Sequence, residues 1–488
     1  MHIGLVIWPL CKSKGGLERV GVILGNEMKK RGHHVTIFCY SYNRKYTTPL
    51  YIVDEGIQIE YIDSYNDEKF FIDKKQLLKS LNIDVMCALF SWELLLIFPQ
   101  LLHKTGIPFI ISEHNAPRII VKERWNHYER LGCLTSADRI HVLTEEYKEE
   151  LPSYLQLRTV VIQNPAPQNR INTIVNKDKN RILAMGRFKD SHKNFSTLIK
   201  AFANIAHTFP DWELIIAGDG EDKKAYEKLI DKYCLKNRII LPGILEETDA
   251  FYASGDIFCI PSRYEGFPMV ALEAQAYGLP LVGFASCSGV KEIIQHGING
   301  FLAEDETPES IGTWLSLLMQ DSIVRNEMRE KSFLLNKRYD KKKIFDKWEN
   351  IFIEVSKEKG NTMLDNILSI KQEEIFCKIA LTEILERQSP FNRQYTLQLK
   401  AISAKLANIE NKINSHKVSS QKPLEDKSTF SLFQRILLTI YSPFVYFFAD
   451  DKKFYYDYKY KTSAYLNYTK HPVNLILKRI LNIIGPKI

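Results

Sequence analysis

An α/β fold with two Rossmann-like, doubly wound domains facing a cleft, plus a C-terminal helical extension, is predicted by three observations. Short apolar runs alternate with amphipathic helical stretches up to about residue 340. This alternation restarts after a polar break near residue 170, and the composition shifts again beyond Gly360. Strands alternating with helices imply a parallel sheet covered on both faces.

In the first series the apolar runs predict strands over 3–8, 34–40, 57–62, 84–90, 107–112, 139–143 and 159–163. Helical patterns lie between most of them, among them 17–31, 92–103 and 121–136. The run Met1 to Trp8 is short and has no basic leader, so it reads as the first strand rather than a signal peptide. Asn164-Pro165-Ala166-Pro167 breaks the pattern, and the polar stretch Gln168 to Asn180 reads as a linker. The second series places strands at 181–185, 213–217, 238–241, 257–260 and 281–284. Its helices fall near 195–208, 222–234, 247–254, 268–277 and 289–296, and a helix over 341–358 closes the unit. Ligands of such sheets bind beyond the carboxyl ends of the strands. With two halves in tandem, the cleft between them is the expected site. The domains are therefore 1–168, an N-terminal Rossmann-like domain; 169–358, a C-terminal Rossmann-like domain; and 359–488, a helical, coiled-coil and basic amphipathic extension.

A chain of 488 residues, 45% of them hydrophobic, has apolar side chains enough for two or three cored domains. Its eight cysteines are scattered without a Cys-x-x-Cys pair. That argues against a disulfide framework or a zinc site and fits a reducing cytosol. The net charge of +8 is lodged in the tail: 19 of the 66 Lys/Arg and 11 of the 58 Asp/Glu lie in 361–488, leaving 47 of each sign elsewhere.

In that tail Tyr395, Leu399, Ile402, Leu406, Ile409 and Ile413 follow a coiled-coil spacing, which predicts self-association through 395–413. Residues 430–449 are rich in Phe, Leu, Ile and Tyr, but their uncharged run, 436–449, is only 14 residues. A spanning helix needs about 20. Residues 428–488 carry 9 Lys/Arg against 3 Asp/Glu. They are expected to meet an anionic membrane surface as an interfacial, amphipathic segment. No recognisable nucleic-acid-binding module accompanies this charge, so nucleic acid is not an expected partner.

The richest stretch is Ser262-Arg263-Tyr264-Glu265-Gly266-Phe267-Pro268-Met269-Val270-Ala271-Leu272-Glu273-Ala274. It follows a predicted strand and runs into a helix with Pro268 at its first position. Eight helical residues rise about 12 Å. Glu265 and Glu273 are thus too far apart for the carboxylate pair of a glycosidase, which stands about 5–9.5 Å apart. They suit one extended ligand held at two places. Gly15-Gly16 precedes the helix at 17–31, where exposed N–H groups favour an anion. Gly186-Arg187 ends the strand 181–185 and Lys193 follows six residues on; a planar guanidinium and a mobile ammonium both suit phosphate oxygens. Ser288-Gly289 opens another helix, and Glu113-His114-Asn115 follows the strand 107–112 at its carboxyl end. Taken singly, each has a plain reading: a turn, solvated loop cations, a helix start, a structural histidine.

Taken together, these residues resemble the family 4 retaining glycosyltransferases of the two-domain GT-B fold. The resemblance covers about residues 1–355 and is strongest over 181–303; it implies that 1–168 is the acceptor-side domain and 169–358 the nucleotide-sugar-binding domain. It is similar there to sugar transferases of bacterial surface-polysaccharide, lipopolysaccharide and lipid-linked oligosaccharide assembly. The Glu-x7-Glu motif, Glu265 to Glu273, carries it, with Gly186-Arg187 and Lys193 upstream. The resemblance implies that Arg187 and Lys193 hold the donor diphosphate, that Glu265 binds hydroxyls of the transferred sugar, and that Glu273 binds the ribose. His114 would contact the sugar near the reacting centre. Gly16 and the backbone of Gly266, Phe267, Pro268, Met269 and Val270 would complete the cradle. The catalytic set is then Glu265, His114, Arg187 and Lys193. Ser288-Gly289 departs from the family, where two glycines are common. The implied activity is that of a retaining hexosyltransferase. It moves a hexose or N-acetylhexosamine from a nucleotide diphosphate sugar, with UDP expected ahead of GDP, to a glycan or lipid-linked acceptor. No Asp-x-Asp stands at a strand end, so no metal or other cofactor is expected. The implied location is cytoplasmic, peripheral on the inner face of the cell membrane. The competing reading is a non-catalytic, membrane-associated scaffold that retains a sugar-nucleotide-binding fold.

Overall fold

The structure, a computed structural model, describes residues 1–7, 10–11, 15–40, 47–62, 68–89, 101–102, 105–117, 127–170 and 179–362. The chain forms two compact units, one of Met1–Arg124 with Ala137–Thr362 and one of Trp125–Ser136 with Met363–Ile488. In the second unit the described part is the helix His127–Thr135 (α3). The predicted coiled-coil seam at 395–413 and the basic segment 428–488 lie outside the described residues.

The first unit holds two all-parallel sheets. One is built from β1 (His2–Ile7), β2 (His34–Tyr40), β3 (Gln58–Ile62), β4 (Val85–Leu89), β5 (Phe109–Glu113), β6 (Arg139–Val142) and β7 (Thr159–Val161). Its order is β3-β2-β1-β4-β5-β6-β7. The other comprises β8 (Asn180–Met185), β9 (Trp212–Ala217), β10 (Ile239–Ile240), β11 (Ile257–Ile260), β12 (Leu281–Phe284) and β13 (Gly300–Ala303), in the order β10-β9-β8-β11-β12-β13. Both are the doubly wound Rossmann arrangement, with a switch point beside the first strand of each half. Every strand read from the sequence is present; β13 is additional.

The connecting helices are α1 (Gly16–Lys30), α2 (Glu68–Ser80), α4 (Glu145–Glu149), α5 (Ser153–Gln156), α6 (Asp190–Lys193), α7 (Phe195–Ile205), α8 (Lys223–Lys232), α9 (Asp249–Ala253), α10 (Met269–Ala276), α11 (Ser288–Lys291), α12 (Pro308–Gln320), α13 (Ser322–Asn336) and α14 (Lys341–Ser356). The helix expected over 289–296 stops at Lys291. Buried Asn299 competes for the backbone there, its Oδ1 accepting from Gln295 N at 2.7 Å, and Gly297 adopts φ 76°. Of the segment 92–103, residues 92–100 and 103 lie outside the described residues, and 121–136 is helical over His127–Thr135.

Alternate residues of the second sheet feed two cores, as the period of a strand requires. Ile182, Ala184, Leu214, Ile216, Ile257 and Cys259 face one. Leu183, Ala217, Phe258 and Ile260 face the other. Helix α14 is continuous with the second half of the chain, yet its apolar stripe lies in the core of the first sheet. Ile344, Phe345, Trp348, Ile351, Phe352 and Val355 are all buried there, beside Leu5, Ile37 and Cys87. Arg31 at the end of α1 ties the helix down, with Nη1 at 2.8 Å from Asp346 and 2.6 Å from Glu349. This return crossing holds the two sheets in one unit and so sets the geometry of the cleft-forming loops.

Candidate active site

The carboxyl ends of β8 and β11 are neighbours at the switch point of the second sheet. Connections leave to opposite sides there and open a crevice. Strand β8 delivers Gly186 and Arg187; β11 delivers the loop from Pro261 to Pro268. Helix α6 then ends at Asn194, whose φ of 54° is the left-handed conformation that asparagine tolerates. Asn194 is fully buried and its Oδ1 accepts from Thr197 Oγ1 at 2.7 Å. That sharp joint between α6 and α7 turns Lys193 back beneath Gly186. A Cβ at 186 would stand 3.2 Å from Lys193 Cε.

Lys193 Nζ reaches Glu265 Oε1 at 2.5 Å, with their side chains 23% and 12% exposed. Ser262 Oγ donates to the same oxygen at 2.7 Å. The other carboxylate oxygen, Oε2, has no partner among the described residues. Arg187 is exposed, one residue past Gly186, and its side chain makes no hydrogen bond or ion pair among the described residues. One cation is thus seated on the acidic loop, and a second is exposed just past the end of β8.

Glu273 is buried in α10 and is held from two directions. Tyr252 Oη donates to Oε2 at 2.6 Å. Arg19 Nη1 bonds to Oε1. Burial, and then the Glu273 charge, push the Tyr252 phenol well above its usual range, so it stays a donor. Arg19 lies in the first turn of α1, three residues after Gly16, so the glycine loop of the first half meets Glu273 of the second through this guanidinium.

His114 follows the last residue of β5 directly. Its backbone carbonyl abuts the acidic loop: a Cβ on Gly266 would lie 1.8 Å from His114 O. Gly289 seals the other side, since a Cβ there would fall 2.5 and 2.6 Å from the carbonyl oxygens of Glu265 and Gly266. Both positions demand glycine on steric grounds. Ser288-Gly289 opens the four-residue helix α11, and Gly289 gives the loop a packing surface there. Tyr147 Oη donates to the Glu265 carbonyl at 2.6 Å, Asn164 Nδ2 to the Phe267 carbonyl at 3.2 Å, and Lys291 pairs with Glu146 at 2.8 Å. The loop is therefore clamped by both halves.

The remaining sequence-derived residues fall along this loop and its counterpart. Phe267 is buried edge-on to Tyr339, ring centres 5.3 Å apart, so only its backbone is available to a ligand. Pro268 caps α10 rather than occupying its first turn, and half-buried Met269 and Val270 begin the helix. Gly16 opens α1 with no heavy atom within 4 Å of where a Cβ would stand. Contacts bring Lys193 to Glu265 and the His114 backbone to Gly266; Glu273 is tied to the glycine loop by Arg19, and Arg187 stands apart from the bonded set.

Sequence reasoning did not find Arg19, Tyr147, Tyr252 or Ser262. Two had a local signal: Ser262 sits three residues before Glu265, and Arg19 three after Gly16. Among the described residues no three His, Cys, Asp or Glu side chains group as a metal site.

Residues 14–170 match the model of Glycosyltransferase Family 4, and residues 166–334 match that of Glycosyl transferases group 1. An uncharacterized glycosyltransferase of Haemophilus influenzae is 30% identical over 349 residues, spanning 70% of this chain and 96% of that relative. The amylovoran biosynthesis glycosyltransferase AmsD of Erwinia amylovora is 30% identical over 229 residues, 46% of this chain and 64% of the relative. The crystal structure of Anabaena HepE in complex with UDP and glucose superposes with a TM-score of 0.58 at 16% identity, covering 72% of this chain and 99% of the other. At that identity the likeness is one of fold. The chain belongs to the glycosyltransferases, joining a family 4 domain to a group 1 domain in the GT-B architecture.

Proposed function

We propose that this enzyme transfers a hexose or N-acetylhexosamine, with retention of anomeric configuration, from a UDP-sugar to a glycan acceptor hydroxyl in the synthesis of a surface polysaccharide. The observation that carries this reading is the Lys193–Glu265 contact at the β8/β11 switch point, with Arg187 exposed one residue past Gly186 on β8's carboxyl side. Cleaving the anomeric C–O bond builds positive charge on the sugar and negative charge on the leaving diphosphate. In this reading Arg187 and Lys193 stabilise the latter, as cations held near a developing anion do. The free Oε2 of Glu265 is an acceptor for sugar hydroxyls, and Glu273 is one for the ribose once Arg19 yields or shares it. The leaving phosphate oxygen takes the acceptor proton on the face it departs from, so the new bond forms on that face. These fixed cations supply the charge a metal would, and we propose that no metal is required. The structural relative is named in complex with UDP and glucose, and amylovoran biosynthesis is the process named with AmsD. The basic segment 428–488 would bring the enzyme to an anionic membrane carrying a lipid-linked acceptor.

The test is incubation of the full chain with UDP-glucose, UDP-N-acetylglucosamine and GDP-mannose in EDTA, following nucleotide release and the anomer formed by proton NMR. Release from a UDP-sugar with the donor's anomeric configuration preserved is expected. Inverted product removes the retaining assignment, and no turnover of any donor, with or without added divalent metal, favours the scaffold reading.

A further inference from the structure

Ser112 and His141 lie side by side in β5 and β6 as register partners, and both are fully buried. Ser112 Oγ stands 2.7 Å from His114 Nε2 and 2.7 Å from His141 Nδ1. His141 Nε2 in turn stands 2.7 Å from the carbonyl oxygen of Ile162. A carbonyl can only accept, so His141 Nε2 carries the proton. Its Nδ1 is then the acceptor, and the Ser112 hydroxyl donates to it. The serine oxygen, having spent its proton there, accepts from His114 Nε2–H. Each step leaves one choice, and the chain ends with a bare lone pair on His114 Nδ1. That atom has no partner among the described residues. Burial, with His141 close by, holds the His114 imidazole well below its usual range, and burial lowers His141 to about 4, so both rings are neutral. Trp348 of α14 packs against the His141 ring at 4.5 Å and fixes its orientation.

We infer that Ser112 and His141 are positioning residues that lock His114 as the Nε2–H tautomer, presenting Nδ1 as an acceptor for a hydroxyl of the transferred sugar. This rests on the donor reading above and refines it. A lone pair repels a phosphate oxygen, so the imidazole selects for a sugar hydroxyl and makes no contribution to holding the nucleotide diphosphate. Sugar affinity is therefore separable from nucleotide affinity at this residue, whereas a general loss of structure would lower both.

Two measurements decide it. In the ligand-free full chain, labelled with 15N-histidine and assigned with a His114→Asn variant, long-range 1H–15N correlation should show His114 with Nε2 protonated and Nδ1 bare. The reverse tautomer overturns the inference. In the second, Ser112→Ala should bind or use UDP-glucose and UDP-N-acetylglucosamine about tenfold less well, the worth of one hydrogen bond at about 1.4 kcal/mol, while its affinity for UDP stays within twofold (about 0.4 kcal/mol). Ser112→Thr, which keeps the hydroxyl, should restore most of the loss. Equal loss of UDP and UDP-sugar affinity, or a failure of threonine to rescue, overturns it. If the unaltered protein binds no sugar nucleotide, the donor reading fails instead; the tautomer is read without ligand and stands or falls separately.

Discussion

Lys193→Ala is expected to lower kcat about 10²–10³-fold, the cost of removing one preorganised charge donor at a developing anion, with only a few degrees' change in melting temperature. The ammonium does two jobs that one substitution removes together. It pairs with Glu265 at 2.5 Å, and in the proposed reaction it faces the leaving diphosphate as the bond breaks. Ser262 still donates to Glu265 in the variant, and the residue is not sealed from water, so the carboxylate is not stranded and the fold survives. Arg187→Ala acts on the phosphate alone and should show a comparable rate loss with no stability change, since its side chain bonds to nothing among the described residues. Steady-state kinetics against a thermal melt, run on the same preparations, separates the effects. Near-normal turnover in either variant would remove the cation from the reaction.

Gly266→Ala is expected to abolish measurable transfer, by at least about 10²-fold, because displacement of reacting groups by about 1 Å costs that much. The new methyl would sit 1.8 Å from the His114 carbonyl oxygen and 3.3 Å from Leu143 Cδ1. A backbone carbonyl cannot rotate away as a side-chain end can. The acidic loop must therefore retreat from the histidine, opening the clamp that Tyr147, Asn164 and Gly289 close. Overpacking of this kind costs about 1–3 kcal/mol in stability as well. Gly312→Ala is the comparator: it lies inside α12, its nearest neighbour would be 3.8 Å away, and alanine is the better helix former. That variant should keep full activity and gain up to about 1 kcal/mol. If Gly266→Ala and Gly312→Ala behave alike, the close approach between the halves does not matter to catalysis.

The sheets were legible because fully buried parallel strands are short, continuous apolar runs between helices. Strand β13 escaped because it begins with glycine and has four residues. No helix was read from the sequence at α12 or α13, although Thr307 and Asp321, whose side chains cap them, are N-cap residue types. The apolar stripe of α14 was also visible, but nothing local says which sheet receives it, and it returns to the first. In the site, the residues carried by motifs (Glu265, Glu273, Gly186-Arg187, Lys193) could be found because the spacing is local. Arg19 to Glu273 spans 254 positions and Ser112 to His141 spans 29. Pairings of that range leave no periodic trace in a single sequence. The demand for glycine at 266 is likewise created by a carbonyl from the other half.

The measurement closest to the centre of this account is calorimetric titration of UDP into the unaltered chain and into the Arg187→Ala/Lys193→Ala double variant. A charge-assisted hydrogen bond is worth about 1.5–3 kcal/mol. The account predicts UDP binding by the unaltered chain, weakened at least about 10²-fold in the variant while its melting temperature holds. UDP binding of equal strength in both would place the nucleotide elsewhere and contradict the assignment of this crevice.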